Sequence, residues 1–158
     1  MIIREGKISD MATVLSLIQE LANFEKEPDA VEVTIKDLEK DGFSEHPLFK
    51  TFVAEVANEV IGVALYYYRY STWKGKTIHL EDLVVRENKR GTGAGFALYS
   101  EILKQGKKEG VKRVEWNVLD WNTNAIHFYE KSGAKILDDW KVVQMNEKGI
   151  ATFVESLK

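Results

Sequence analysis

Hydrophobic and polar positions along the 158 residues alternate between two periods, and the switches between them mark out the elements. Residues 1–6 read as a short strand. Ser9 or Asp10 then caps a helix whose apolar positions Met11, Val14, Leu15, Ile18, Leu21 and Ala22 follow the three-to-four spacing of one helical face. Thr34 and Asp37 form a capping-box pattern for a second, short helix ending near Gly42. Strand-like runs follow at 51–56 and 60–70, separated by the turn-like Asn58-Glu59, and a third central strand runs over 78–85. An apolar-faced helix over 94–109 stops at Gly110. The stretch 111–119 sets Val114, Trp116 and Val118 on one face of a strand. A helix over about 123–131 ends at Gly133, and 142–145 and 152–154 read as strands closing the sheet. The order β-α-α-β-β-β-α-β-α-β predicts an α/β fold, a mixed sheet with helices on both faces, in a single domain over 1–158.

Composition narrows the classes. Hydrophobic residues make up 44% and charged residues 30%, enough to build a core without staples. The net charge of −3 argues against nucleic acid or an anionic membrane as partner and permits a cationic substrate. No cysteine is present, which removes disulfides, thiolate metal sites and a Cys nucleophile. The N-terminal stretch lacks the apolar run of a signal peptide and no run reaches membrane-spanning length, so a cytoplasmic protein is expected. His46, His79 and His127 are widely spaced, and no metal site is expected.

The chemistry concentrates after Leu80-Glu81-Asp82-Leu83-Val84-Val85. There Arg90-Gly91-Thr92-Gly93-Ala94-Gly95 joins that strand to a helix opening with Phe96. Glycines let the backbone approach phosphate oxygens, the first N–H groups of a helix point at an anion, and Arg90 adds positive charge. The loop is not an NTPase phosphate loop, because Phe96 and Ala97 stand where Lys and Ser/Thr are needed. Nor does it match the dinucleotide fingerprint, because Phe96 or Leu98 stands at the third glycine. As a bare pattern it also serves simply to join a strand to a helix.

The pattern R-G-x-G-x-G resembles the pyrophosphate-binding arm of the GNAT superfamily of acetyl-CoA-dependent N-acetyltransferases. Leu119-Asp120-Trp121-Asn122, Ala125-Ile126-His127-Phe128-Tyr129 and Ser132-Gly133-Ala134 resemble the helix that closes over coenzyme A in that fold. Asp41-Gly42-Phe43, His46-Pro47, Phe52-Val53-Ala54-Glu55, Tyr70-Ser71-Thr72-Trp73-Lys74-Gly75 and Leu80-Glu81-Asp82 are similar to the diamine N-acetyltransferases. That family includes the spermidine/spermine and thialysine enzymes. The likeness runs from about residue 3 to residue 140. It implies the GNAT fold, acetyl-CoA as donor, a small-molecule amine as acceptor and an intertwined homodimer.

Transfer of acetyl from a thioester to an amine needs a neutral amine, a place for the oxyanion and a proton for the departing thiolate. With a pKa of about 10.4, only roughly one lysine-like amine in a few thousand is neutral at pH 7, a deficit of about 4–5 kcal/mol. The resemblance assigns the base to Glu81, which from the residue alone reads rather as a salt-bridged strand carboxylate. Asp82 points to the opposite face of a regular strand, so only one of the two serves a given pocket unless a bulge intervenes. Backbone N–H groups near Leu83, Val84 and Val85 suit the oxyanion and an added pantetheine strand, and also fit an ordinary buried strand. Tyr129 is the candidate acid for the thiolate. Asn122, Ala125, Ile126 and Tyr129 share one helical face, with Asn122 a cap or a pantetheine contact, although a helical tyrosine is also a common core residue.

For the substrate, the resemblance points to Phe24, Glu25, Trp73, Glu115, Trp116 and Asn117, acidic and aromatic groups suited to a cationic chain. Ser71 departs from the polyamine branch, which carries aspartate there, and matches the thialysine-like branch with Thr72-Trp73-Lys74-Gly75. The shorter segment before Trp140 leaves an acidic contact open between Asp138 and Asp139. These features favour a thialysine-like, lysine-like or short diamine substrate. Polyamine or protein-lysine acetylation is the alternative within the same chemistry, and a non-catalytic coenzyme A-binding regulatory dimer is the alternative outside it.

Overall fold

A computed structural model describes residues 1–157. It forms two compact units, Met1–Asn117 and the stretch from Val118 onward, each described here by itself. In the first unit β1 (Ile2–Glu5) precedes α1 (Met11–Phe24) and α2 (Ile35–Phe43), and β2 (Lys50–Val56), β3 (Glu59–Ser71) and β4 (Gly75–Val85) form an antiparallel meander. After β4 come α3 (Ala94–Lys108) and β5 (Val114–Glu115). The sheet order is β1-β2-β3-β4-β5, antiparallel except for the parallel pair β4–β5.

The two faces of this sheet are covered by different helices because alternate strand residues point opposite ways. Val53, Val63 and Val84 face Met11, Val14 and Leu17 of α1 and Leu38 of α2. The neighbouring position on β3, Gly62, faces α3: a Cβ there would lie 2.9 Å from the Val84 carbonyl oxygen and 3.2 Å from Leu98. At the start of α1, the Asp10 carboxylate accepts the Lys7 N–H at 2.7 Å and pairs with Arg4, which also holds Glu55. Thr34 and Asp37 make the expected capping box at α2.

Three expectations are corrected. The β2–β3 turn is made by Ala57 and Asn58, both at positive φ, and Glu59 already belongs to β3. The strand expected over 111–119 shrinks to Val114–Glu115, because β5 pairs with β4 only at Ile78 and His79. The strands expected at 142–145 and 152–154 do not form. Residues 142–145 carry no regular structure, and 152–154 lie in α5 (Glu147–Glu155) of the second unit. Asn146 caps that helix by accepting the Gly149 N–H at 2.9 Å, and Ile150, Phe153 and Val154 recur at helical spacing. Local β-branched content misled where a cap and a helical period decided. The second unit also holds α4 (Thr123–Lys131), capped by Asn122 and closed by Gly133 at positive φ, as expected. Among the described residues no helix is long and apolar enough to cross a membrane.

Candidate active site

The register of β3 and β4 slips by one residue in the middle of the candidate site. Leu65 opposes Asp82 and Tyr66 opposes Leu80, so Glu81 is an extra residue on β4. The alternation of β3 is unbroken through this point. Asp82 therefore shares the face of Leu65 and Val63, the α1 side, whereas Leu80 and Leu83 share the α3 side with Tyr66 and Ala64. Glu81 lies on the α1 side too, since its carboxylate approaches His79 two residues earlier. The bulge thus brings both carboxylates to one face, where a regular strand would have separated them.

Their environment is acidic. Burial, then the charges of Glu81 and of Glu25 at the end of α1, push the Asp82 carboxyl up to about 6. Beside Glu81 stands Tyr67, whose phenol is pushed up by burial and by that carboxylate. Glu81 itself is half exposed.

The edge of β4 next to this cluster is open. No strand among the described residues pairs with β4 on its β5 side past His79. Over 81–85 alternate backbone groups therefore face away from β3 without a strand partner, which suits an added strand and an oxyanion. Val84 is buried, and Leu83 and Val85 are half-buried.

A 3₁₀ turn over Glu87–Lys89 leads from β4 into the glycine-rich loop, in which Thr92 Oγ1 donates to the Lys89 carbonyl at 2.8 Å. Gly91 and Gly93 take φ of +77° and +85°, the left-handed region that other residues enter only at a cost. A Cβ at either would meet nothing within 4 Å, so the glycines serve backbone shape and access rather than packing. Helix α3 begins at Gly93 with no side-chain cap and no acidic residue in its first turn, followed by buried Ala94, Gly95 and exposed Phe96. Arg90 stands beside this turn with its guanidinium 5.2 Å from the Phe24 ring. An uncapped, cationic helix start with two left-handed glycines fits a diphosphate.

Other expected substrate residues have different surroundings. Glu115 is claimed by two guanidinium groups, at 2.6 Å from Arg69 and 2.7 Å from Arg113, as charge contacts rather than aligned hydrogen bonds. Trp116 sets its ring edge-on to Tyr99 of α3 at 5.5 Å, on the face away from Glu81. Asn117 is exposed, and Trp73 projects from the β3–β4 turn. Ser71 Oγ accepts the N–H groups of Trp73 and Lys74, each at 3.2 Å, and so shapes that turn. Asn122, Ala125 and Tyr129 belong to the second unit. There Asn122 accepts the Ala125 N–H at 3.3 Å, and the Tyr129 ring meets Phe128 at 5.3 Å.

The acetyltransferase (GNAT) family model matches residues 13–134, across both units. The chain belongs to the GNAT acetyltransferase family. Members of this family take acetyl from acetyl-CoA. This acetyltransferase is 38% identical over 145 residues to the thialysine N-epsilon-acetyltransferase of Bos taurus, covering 87% of this chain and 85% of that one. It is 32% identical to the human spermidine/spermine N(1)-acetyltransferase-like protein 1, over 92% of this chain and 22% of that longer protein. Among solved structures, an integron cassette protein of V. cholerae superposes with a TM-score of 0.80 at 21% identity, over 98% of this chain and 97% of that one. That likeness concerns the fold, which is the mixed α/β arrangement expected from the sequence.

His79 was missed by sequence reasoning. It is buried beside Glu81, and its spacing two residues away on one strand was the available signal.

Proposed function

We propose that this acetyltransferase moves acetyl from acetyl-CoA to the primary amine of a thialysine-like, lysine-like or short diamine substrate, by direct attack in a ternary complex. The observation that carries this reading is the bulge at Glu81, which collects Glu81 and Asp82 on one face beside the open edge of β4. Glu81 takes the proton of the incoming ammonium, directly or through water, and frees its lone pair to form the C–N bond. Backbone N–H groups over 83–85 receive the charge that develops on the carbonyl oxygen. As the C–S bond breaks, Tyr129 delivers its proton to the sulfur, a transfer between groups of pKa about 10 and about 8.5, and the second proton shed by the newly acylated nitrogen returns to the Tyr129 oxygen directly or through water. With no cysteine in the chain, no thiol acyl-enzyme is invoked.

Leu83, Val84 and Val85, the loop from Arg90 through Gly91, Thr92, Gly93, Ala94 and Gly95 to Phe96, and Asn122 and Ala125 are assigned to the donor. Glu25, Asp82, Phe24 and Trp73 are assigned to the cationic end of the acceptor. Glu115 is already matched by Arg69 and Arg113, so the negative charge for the amine comes from Glu25, Glu81 and Asp82. A compact cluster of that kind suits a short dication or a lysine-like amine better than a long polyamine, and the name of the bovine relative agrees. A homodimer is part of the proposal, as the resemblance to the diamine N-acetyltransferases implies.

The test is thiol release from acetyl-CoA over putrescine, spermidine, lysine, thialysine and a lysine-rich peptide, with the mass in solution measured alongside. Turnover of thialysine or a short diamine well above spermidine is expected. Tight coenzyme A binding without turnover of any amine refutes the enzyme reading.

A further inference from the structure

The acetyl-transfer reading leaves one buried imidazole beside the base unused. His79 sits two residues before Glu81 on the same face of β4, and its side chain is 8% exposed. Its Nε2 lies 3.5 Å from Glu81 Oε2. Its Nδ1 lies 3.4 Å from Arg69 Nη1 on β3. Tyr67 covers the ring at 5.1 Å, tilted by 35°. Arg69 is in turn held by Glu115, the residue of β5 registered against His79, and Glu115 by Arg113. The groups that face this cluster are thus Tyr67 and Arg69 from β3, Glu81 and Asp82 from β4, Glu115 from β5 and Glu25 from α1.

A guanidinium has donors only, so the ring nitrogen that faces it presents a lone pair. Burial, opposed by the Glu81 charge, keeps the imidazole below its ordinary range and neutral at pH 7. A neutral ring with its lone pair at Nδ1 carries its one proton on Nε2, the atom that faces Glu81. We propose that His79 is a positioning residue: Arg69 sets its tautomer, and its Nε2–H aims the Glu81 carboxylate at the amine. The imidazole acts through Glu81 and transfers no proton itself. At 3.4 and 3.5 Å both separations are long for hydrogen bonds, and binding of the amine is expected to shorten them. This inference rests on the reading of Glu81 as base.

Two variants and one spectrum test it. His79→Leu keeps the bulk and removes the donor, whereas His79→Gln returns an amide N–H near the Nε2 position. With melting temperatures confirming the fold, His79→Leu is expected to lower kcat about tenfold or more while KM for the amine stays within about twofold, and His79→Gln to recover most of the loss. Nitrogen-15 spectra of histidine-labelled wild type at pH 7 are expected to show His79 as the neutral Nε2–H tautomer, and Arg69→Met to mix the two tautomers. An unchanged kcat in His79→Leu, a Gln variant as slow as the Leu variant, or an Nδ1–H tautomer in the wild type overturns the proposal. Wild-type protein that turns over no amine fails the function reading instead, and the tautomer then decides the Arg69–His79 arrangement alone. If His79→Leu does not fold, Arg69→Met, read by kcat and spectrum together, takes its place.

Discussion

Asp82 is held at a cost to stability that can be measured. Its carboxyl belongs near 3.8 in the unfolded chain and is pushed up to about 6 in the folded protein, by burial first and by Glu81 and Glu25 next. A group raised in this way binds its proton more tightly when folded, so its contribution is most favourable at low pH and is lost as pH rises through 6. The gap between 3.8 and about 6, at about 1.4 kcal/mol per pH unit, sets the cost of the ionised form at about 3 kcal/mol above pH 7. Asp82→Asn keeps the shape and removes the charge. It is expected to raise stability by about 2–3 kcal/mol at pH 7.5, or about 5–10 °C in melting temperature. The advantage should shrink between pH 6 and pH 4 and vanish below, where the wild-type carboxyl is protonated in both states. Urea unfolding of both proteins at pH 7.5, 6 and 4 measures it directly. The same variant is expected to raise KM for the amine about tenfold, the equivalent of one lost charge contact. A variant no more stable than wild type at pH 7.5, or an advantage that does not change with pH, refutes the acidic cluster as the structure arranges it.

Further outcomes follow from other parts of the site. Tyr129→Phe should lower kcat by about 10²-fold with coenzyme A binding unchanged in calorimetry, as expected if the phenol serves the leaving sulfur. Gly93→Ala forces a residue with a Cβ to φ of +85° at a cost of about 1–2 kcal/mol, and should weaken acetyl-CoA about tenfold in KM, although the Cβ itself clashes with nothing. Ser71→Asp should leave the β3–β4 turn intact, because a carboxylate accepts the same N–H groups of Trp73 and Lys74, and should raise kcat/KM for spermidine relative to thialysine. Glu109 is pushed up by burial, but Lys76, Tyr68 and Gln105 outweigh that and hold it down at about 2. Its ion pair contributes stability above pH 4.5 that is lost as pH falls toward 2. Glu109→Gln should therefore melt below wild type at pH 7, with the two curves converging in acid.

By itself the sequence determined the elements whose signals are local. Thr34 and Asp37 read as a capping box because three residues of a helix suffice to bring them together, and the structure shows that bond. Met11, Val14, Leu15, Ile18 and Leu21 announced a helical face that packs into the core, and the glycines at 91 and 93 a loop open to close approach before α3, because these signals lie in the residues themselves. The glycine-rich loop over 90–96 was legible for that reason. Local signals failed where pairing or a cap outside the window decides: 152–154 has strand-forming residues but sits behind the Asn146 cap, and 111–119 alternates yet finds β4 only at Val114 and Glu115. The face that carries both carboxylates was decided by tertiary structure alone. Nothing in Leu80-Glu81-Asp82 states that β3 will run past it with one residue fewer. Only that mismatch turns Glu81 and Asp82 to the same side, with Glu25 from α1 near enough to raise Asp82. The same pairing brought Arg69 and Glu115 to His79 across two neighbouring strands. A strand's register is a property of two strands, and no reading of either one contains it.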